Sequence, residues 1–292
     1  MSTTNSTKSL VLKGVDHTAR PTWKLKETVE FYRDTMGLPL VHTISARGWG
    51  PDNHPDFLHF FFDSGKGSTI AFFYYLGTTQ PAEMDGRENA KPWPEDFITD
   101  ATHTAWLVDT EDELIEWKDY LTAKGVEVSV VTRHEVIESI YFRDPNGYFL
   151  EITNKLRPLQ TRDYADADAT LSAAIELEQE RRNGIADIKS IDEVWARKAQ
   201  RLAGTKAEGR VRISVLNVDE FKSLVDAARE MPHCTVSALN DDYWLIESEQ
   251  PIEFERRKLG VKPAIWYGLF TGGVDGQITT FDRDLVRIEQ QK

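Results

Sequence analysis

Two stretches of the chain repeat one order of hydrophobic patterns, and such repeats are the first thing to look for in a sequence. In the first, Leu25, Val29, Tyr32 and Met36 recur at spacings of four, three and four, which predicts an amphipathic helix. Gly37 ends that helix, and Pro39 blocks any continuation. In the second, Thr110 and Glu113 form a capping-box pattern, Leu114, Trp117 and Leu121 make the buried stripe, and Gly125 closes it. A short strand-like run carrying His-Thr-Ala precedes each helix, as His17-Thr18-Ala19 and His103-Thr104-Ala105, with the closing glycines 20 and 22 residues after the histidines. Strand-like runs follow each helix, at 40–44, 57–63 and 68–76 and again at 127–132, 137–143 and 148–153. Both units read βαβββ. The helix between the first two strands is expected to cover one face of a curved sheet and leave the other free. Two such sheets side by side enclose a cleft.

The remaining chain changes character. Residues 77–100 are rich in Pro, Gly, Asp and Glu and read as a linker, in which Trp93, between two prolines, offers a partial lid. Residues 164–204 carry a helical pattern (Leu171, Ile175, Leu177, then Val194, Ala199, Leu202), with Gly184 as a break. From Val211 a smaller module begins, with a strand at 211–216, a helix at 218–231 and strand-like runs around Val236, Trp244, 265–270 and 278–288. The glycines Gly272, Gly273 and Gly276 read as a hairpin turn, because no Lys-Ser/Thr follows to make a phosphate loop. The fold class is therefore α+β: paired βαβββ units at 10–76 and 100–155 within a domain at 10–156, a helical connector at 157–206 and a smaller α+β module at 207–292.

Composition narrows the partners. The 292 residues hold 35 basic and 48 acidic side chains, a net charge of −13, which disfavours binding to a nucleic-acid backbone. The single cysteine, Cys234, excludes an intramolecular disulfide and fits a reducing compartment. No run of 18 apolar residues predicts a membrane span, and the first residues lack the apolar core of a signal peptide. A cytoplasmic location is the expectation, and a homo-oligomer remains open.

Position within the repeat singles out chemistry among seven scattered histidines. A lone histidine on a strand is ordinarily a half-buried polar residue, but His17 and His103 occupy equivalent places in the two units. Glu151 lies on the last strand of the second unit, 48 residues after His103, while the equivalent place in the first unit falls near Ala71 and Phe72, which ligate nothing. Two imidazoles and one carboxylate make a facial triad that leaves coordination positions open for substrate and oxygen or water.

With these features the first 155 residues resemble the vicinal-oxygen-chelate superfamily, which includes glyoxalase I, extradiol ring-cleaving dioxygenases, methylmalonyl-CoA epimerase and fosfomycin-resistance proteins. The resemblance places its metal ligands on His17, His103 and Glu151. The stretch from Thr132-Arg133-His134 through Ile140-Tyr141 and Asp144-Pro145-Asn146-Gly147 to Glu151 is similar to the extradiol signature and implies that His134 and Tyr141 act beside the metal. Phe57-Leu58-His59 matches the place of an acid/base histidine, and its phenylalanine-rich setting equally suits a core histidine. Tyr141 is likewise open to a packing role. Two departures bear on the substrate: Thr102 stands where a second histidine often precedes the metal ligand, and no further paired unit lies ahead of the metal-bearing one. A loop formed by Arg47, Gly48, Trp49, Gly50 and Pro51, with His54, is placed to shape the pocket mouth or to be plain surface.

The function implied is an Fe(2+)-dependent extradiol-type dioxygenase taking an aromatic diol and O2. Mn(2+), Zn(2+) or Ni(2+) fit a glyoxalase-type lyase, isomerase or epimerase instead. A binding protein without catalysis is disfavoured by the intact triad.

Overall fold

The computed structural model describes residues 12–48, 53–92, 97–181 and 188–291. Trp49, Pro51, Trp93 and Gly184 lie outside these residues. The chain forms two compact units, one of residues 1–131 and 139–154, the other of 132–138 and 155–292.

In the first unit, β1 (His17–Pro21) leads into α1 (Leu25–Val29), followed by β2 (Leu40–Ala46), β3 (Phe57–Gly65) and β4 (Ser68–Tyr75). The short α2 (Phe97–Asp100) opens the second repeat: β5 (Thr104–Val108), α3 (Glu111–Ala123), β6 (Thr132–Arg133), β7 (Ile137–Arg143) and β8 (Phe149–Lys155). The two sheets share one topology, β1-β4-β3-β2 and β5-β8-β7-β6, and in each the first strand runs parallel to the last. The predicted repeat of βαβββ units is thus present.

Local departures have physical causes. The helix expected over 25–36 is α-helical only to Val29 and then widens into a π-turn at Glu30–Thr35, closed by Met36 N–H donating to Phe31 O. The extra residue per turn brings both Phe31 and Tyr32 onto the buried side. The run expected at 127–132 is a regular strand only at Thr132–Arg133. Upstream, Ser129 N–H donates to Tyr141 O at 2.9 Å, and Tyr141 N–H donates to the Ser129 hydroxyl at 3.0 Å, so a side chain replaces a ladder partner.

The helix-facing side of each sheet is apolar. Phe60, Phe62, Ile70 and Phe72 of the first repeat join Leu114, Leu121, Ile140, Phe142, Leu150 and Ile152 of the second in one buried cluster. The turn at Asp144–Gly147 fastens the repeats together. As expected, it joins two antiparallel strands, with Gly147 at φ +88 and Asn146 N–H donating to the Asp144 carboxylate at 2.8 Å. It also reaches across: Tyr32 Oη–H donates to Asp144 at 3.0 Å, Thr22 Oγ–H to Asn146 Oδ1 at 2.7 Å, and Asn146 Nδ2–H to Thr28 Oγ1 at 3.0 Å. Asp144 and Asn146 are each 1% exposed, so losing a partner here strands polar groups away from water. Asn146→Ala is expected to destabilise the protein by about 2–3 kcal/mol in a denaturant titration. A loss below about 0.5 kcal/mol, the level of an ordinary surface substitution, is incompatible with this fastening role.

The second unit contains α4 (Thr161–Arg181), α5 (Ile191–Ala203), β9 (Val211–Leu216), α6 (Lys222–Arg229), β10 (Thr235–Ala238), β11 (Tyr243–Ser248) and β12 (Ile252–Glu255). It closes with α7 (Arg256–Leu259), α8 (Pro263–Tyr267), β13 (Val274–Asp275), β14 (Gln277–Phe281) and β15 (Leu285–Glu289). Its sheets are ordered β10-β11-β9-β13 and β12-β15-β14. Their core is built on Trp195, Ile213, Phe221, Ile246, Phe254, Trp266 and Phe270.

Two expectations fail in this unit. The run at 265–270 is the end of a short helix and the turn after it rather than a strand, because Pro263 opens a helix two residues earlier. Gly272 and Gly273 are not a hairpin turn. They let the chain pass against the Ser214 carbonyl of β9 and the Ala199 backbone of α5, where any Cβ would collide. Among the described residues no helix is long and apolar enough to cross a membrane.

Candidate metal centre

Strand register places the candidate side chains. In the first repeat His17 pairs with Thr69, Thr69 with Asp63, and His59 with Phe73, so His17, His59, Phe61 and Phe73 share the face that α1 leaves free. In the second repeat Ala105 pairs with Glu151. His103, two residues before Ala105, therefore lies on the same free face as Glu151. The equivalent pair in the first repeat is Ala19 with Ala71. Ala71 thus stands where Glu151 stands, as expected, and supplies no ligand.

His103 and Glu151 are brought together, with His103 Nε2 2.8 Å from Glu151 Oε2. The other ring nitrogen is committed as well: His103 Nδ1 lies 3.1 Å from the Asp100 carbonyl, which only accepts, so a cation taking the place of the proton between Nε2 and Glu151 would find Nδ1–H held from behind and Nε2 as the ligating nitrogen. The other Glu151 oxygen accepts from the Ser139 hydroxyl, whose oxygen lies 3.0 Å from the Thr153 hydroxyl and can accept from it. Glu151 itself is 4% exposed. Metal–ligand bonds of about 2.1 Å at right angles put their donor atoms about 3 Å apart, so this pair fits two neighbouring positions on a divalent ion. Ligand oxygens and imidazoles held from behind by such partners are what metal sites use.

His17 shows the same preparation. Its Nδ1 lies 2.8 Å from the Asp16 carboxylate, leaving Nε2 free to ligate. It is half-exposed and meets Phe61 edge-on at 5.9 Å. Among the described residues no three His, Cys, Asp or Glu side chains are gathered closely enough to hold a metal. His103 and Glu151 form the assembled pair, and His17 lies on the free face of the other sheet.

His59 is 7% exposed and stacked on Phe73 at 3.6 Å, with Phe61 at 4.2 Å. Its Nδ1–H donates to the Phe72 carbonyl at 3.1 Å. Burial holds the imidazole below its ordinary range, and the nearby charges of His17 and His42 act in the same direction. Tyr141 stacks on Phe149 at 5.3 Å and meets His103 edge-on at 6.4 Å. Burial, reinforced by the Glu151 charge, pushes its phenol up to about 12. His134 belongs to the second unit, where its N–H donates to the Ile137 carbonyl at 2.9 Å in the β6–β7 hairpin.

Two residues of this region escaped the sequence reading. Ser139 was findable, since it shares the parity of Tyr141 on β7 and so faces Glu151. His42 was not: a bulge in β2 between Leu40 and His42 shifts its partner to Phe61 and turns it onto the free face, 5.5 Å from that ring.

The model of the Glyoxalase/Bleomycin resistance protein/Dioxygenase superfamily matches residues 14–152. Biphenyl-2,3-diol 1,2-dioxygenase 3 of Rhodococcus globerulus is 28% identical over 109 residues, which cover 34% of this chain and 57% of that protein. Biphenyl-2,3-diol 1,2-dioxygenase 2 of the same organism is 40% identical over 50 residues, covering 17% and 26%. The chain thus matches between a quarter and somewhat over half the length of these curated relatives. Among solved structures, lactoylglutathione lyase from Agrobacterium tumefaciens is 22% identical, with a TM-score of 0.34 over 49% of this chain and 95% of that one. With its paired βαβββ units and its matched span, the N-terminal half of the chain is a domain of the glyoxalase/bleomycin resistance/dioxygenase, or vicinal-oxygen-chelate, superfamily.

Proposed function

We propose that the chain is a ferrous extradiol-type dioxygenase that opens the ring of an aromatic vicinal diol. Domains of this superfamily generally bind a divalent metal and a small-molecule substrate. The observation that carries the finer reading is the register pair Ala19–Ala71, which leaves the first repeat with alanine at the position where the second repeat has Glu151. With His17, His103 and Glu151 as its protein ligands, the metal keeps three positions open, which suits a chelated diol together with O2. A fourth protein ligand would occupy one of them.

The free face of the first sheet supports an aromatic substrate. His59, Phe61, Phe73 and Tyr75 lie along it, with Phe73 stacked on both His59 and Tyr75 at interplanar angles of 5°. Such a wall binds a flat ring by offset or edge contacts. Bound iron supplies chelation of the diol and the reaction with O2. The chain's own groups handle protons. His59, kept neutral by burial, accepts a proton from the diol, and Tyr141, kept protonated, donates a hydrogen bond to a substrate oxygen. His134 joins them by the signature it shares with extradiol enzymes.

The test is oxygen uptake by anaerobically purified, Fe(II)-loaded protein offered a panel of catechols and biphenyl diols. Stoichiometric O2 consumption with a yellow ring-opened product is expected. Turnover without O2, sustained by Zn(II) in place of iron, refutes the dioxygenase and leaves a lyase or isomerase.

A further inference from the structure

Residues 132–138 interrupt the first unit in sequence and belong to the second. Within the second unit this hairpin is held from two sides. The Leu156 N–H donates to the Val136 carbonyl at 3.0 Å, and α8 packs beside β6. At Gly268, just after α8, a methyl group on the α-carbon would lie 3.3 Å from Glu135 Oε1. Glu135, half-buried, also feels the charges of Asp166 of α4, Glu220 in the turn before α6, Lys198 of α5 and Arg157.

Both cations around Glu135 are engaged elsewhere. Lys198, fully buried, donates to Asp166 at 2.5 Å, to Thr170 at 2.7 Å and to the Thr271 carbonyl at 2.6 Å, which uses all three of its protons. Arg157 donates to both Asp163 oxygens and to Glu220 at 2.6 Å. An ionised Glu135 therefore meets burial and two neighbouring carboxylates with little compensation, whereas a protonated one fits.

We propose that the C-terminal module holds the hairpin carrying His134, with Glu135 as the contact that governs the hold, and that Glu135 is thereby a positioning residue for His134. The part concerning His134 rests on the functional reading above; the hold does not. Burial and the Asp166 and Glu220 charges push the Glu135 carboxyl up to about 7. Because the folded state favours its protonated form, the hold is complete at acid pH and is lost as pH rises through about 7.

The experiment is amide hydrogen exchange by mass spectrometry on the full chain without substrate, from about pH 5 to about pH 9, with intrinsic rates divided out. Protection of 132–138 is expected to fall about tenfold or more over that range. Glu135→Gln, which mimics the protonated carboxyl, is expected to keep protection high and flat. Gly268→Ala, which crowds Glu135 without changing charge, is expected to lower protection at every pH. It is also expected to reduce kcat about tenfold or more, with metal content and KM unchanged. A pH-independent wild type, or a Glu135→Gln variant with the wild-type dependence, overturns the hold. If exchange responds as stated but His134→Ala turns over normally, the functional reading of His134 fails and the positioning role with it, while the hold stands. If His134→Ala is slow and Gly268→Ala is not, the positioning role is overturned by itself.

Discussion

Glu151→Ala is expected to empty the metal centre and abolish turnover while leaving a cooperatively folded protein. Glu151 is the most deeply set of the three proposed ligands, 4% exposed, with one oxygen tied to Ser139 and the other 2.8 Å from His103 Nε2. Removing the carboxylate deletes the only anionic one of the three proposed ligands, while the Asp100 carbonyl, 3.1 Å from Nδ1, still holds the His103 ring. Ser139 keeps Thr153 as an alternative acceptor at 3.0 Å, so the fold has a way to absorb the change. Metal affinity is expected to fall by more than about a hundredfold for Glu151→Ala, His103→Ala and His17→Ala alike. Ser139→Ala, which disturbs a ligand only from behind, falls in the range of about 10–100-fold. Metal content per chain after Fe(II) loading and desalting, read beside a thermal melt, checks this ordering. Unchanged metal in all three ligand variants moves the centre elsewhere in the chain.

How much of this was legible in the sequence depends on the range of the forces involved. The repeat was visible because His17 and His103 recur in the same local setting, and helix stops at Gly37 and Gly125 need only neighbouring residues to act. Once the repeat is aligned, the contrast between Glu151 and Ala71 follows from strand pairing alone, and the observed register agrees with it. What stayed hidden depends on tertiary contact or on one inserted residue. The π-turn after Val29 and the bulge before His42 each displace a side chain by one position, and no hydrophobic period reports such a shift. The pattern at 265–270 was misread because a short apolar run does not distinguish a buried helix turn from a strand. The polar bonds from Asn146 to Thr22 and Thr28 join residues more than a hundred positions apart, so the turn sequence showed only half of its role. The allotment of 132–138 to the second unit is a fact of packing that no motif announces.

Tyr141→Phe isolates chemistry from architecture. The substitution keeps the ring that stacks on Phe149 at 5.3 Å and meets His103 edge-on, and removes only the hydroxyl beside Glu151. If Tyr141 is a packing residue, the variant is nearly silent. If it donates to a substrate oxygen, the variant keeps its iron, still binds a diol, and loses about 2–4 orders of magnitude in kcat. His59→Gln tests the partner step, since an amide can still donate to the Phe72 carbonyl but accepts no proton at neutral pH. A comparable fall in kcat is expected, together with a changed pH profile. In the wild type, activity fails as pH drops through a value below the usual imidazole range of about 6.5, because burial favours the neutral ring that serves as base. His59→Gln has no such limb of its own to lose. Rapid-mixing kinetics with a catechol under air separates the two variants from loss of metal, because each is measured per bound iron. A Tyr141→Phe enzyme with wild-type kcat and a His59→Gln enzyme with the wild-type acid limb assign both rings to the core, and the proton transfers then fall to other groups.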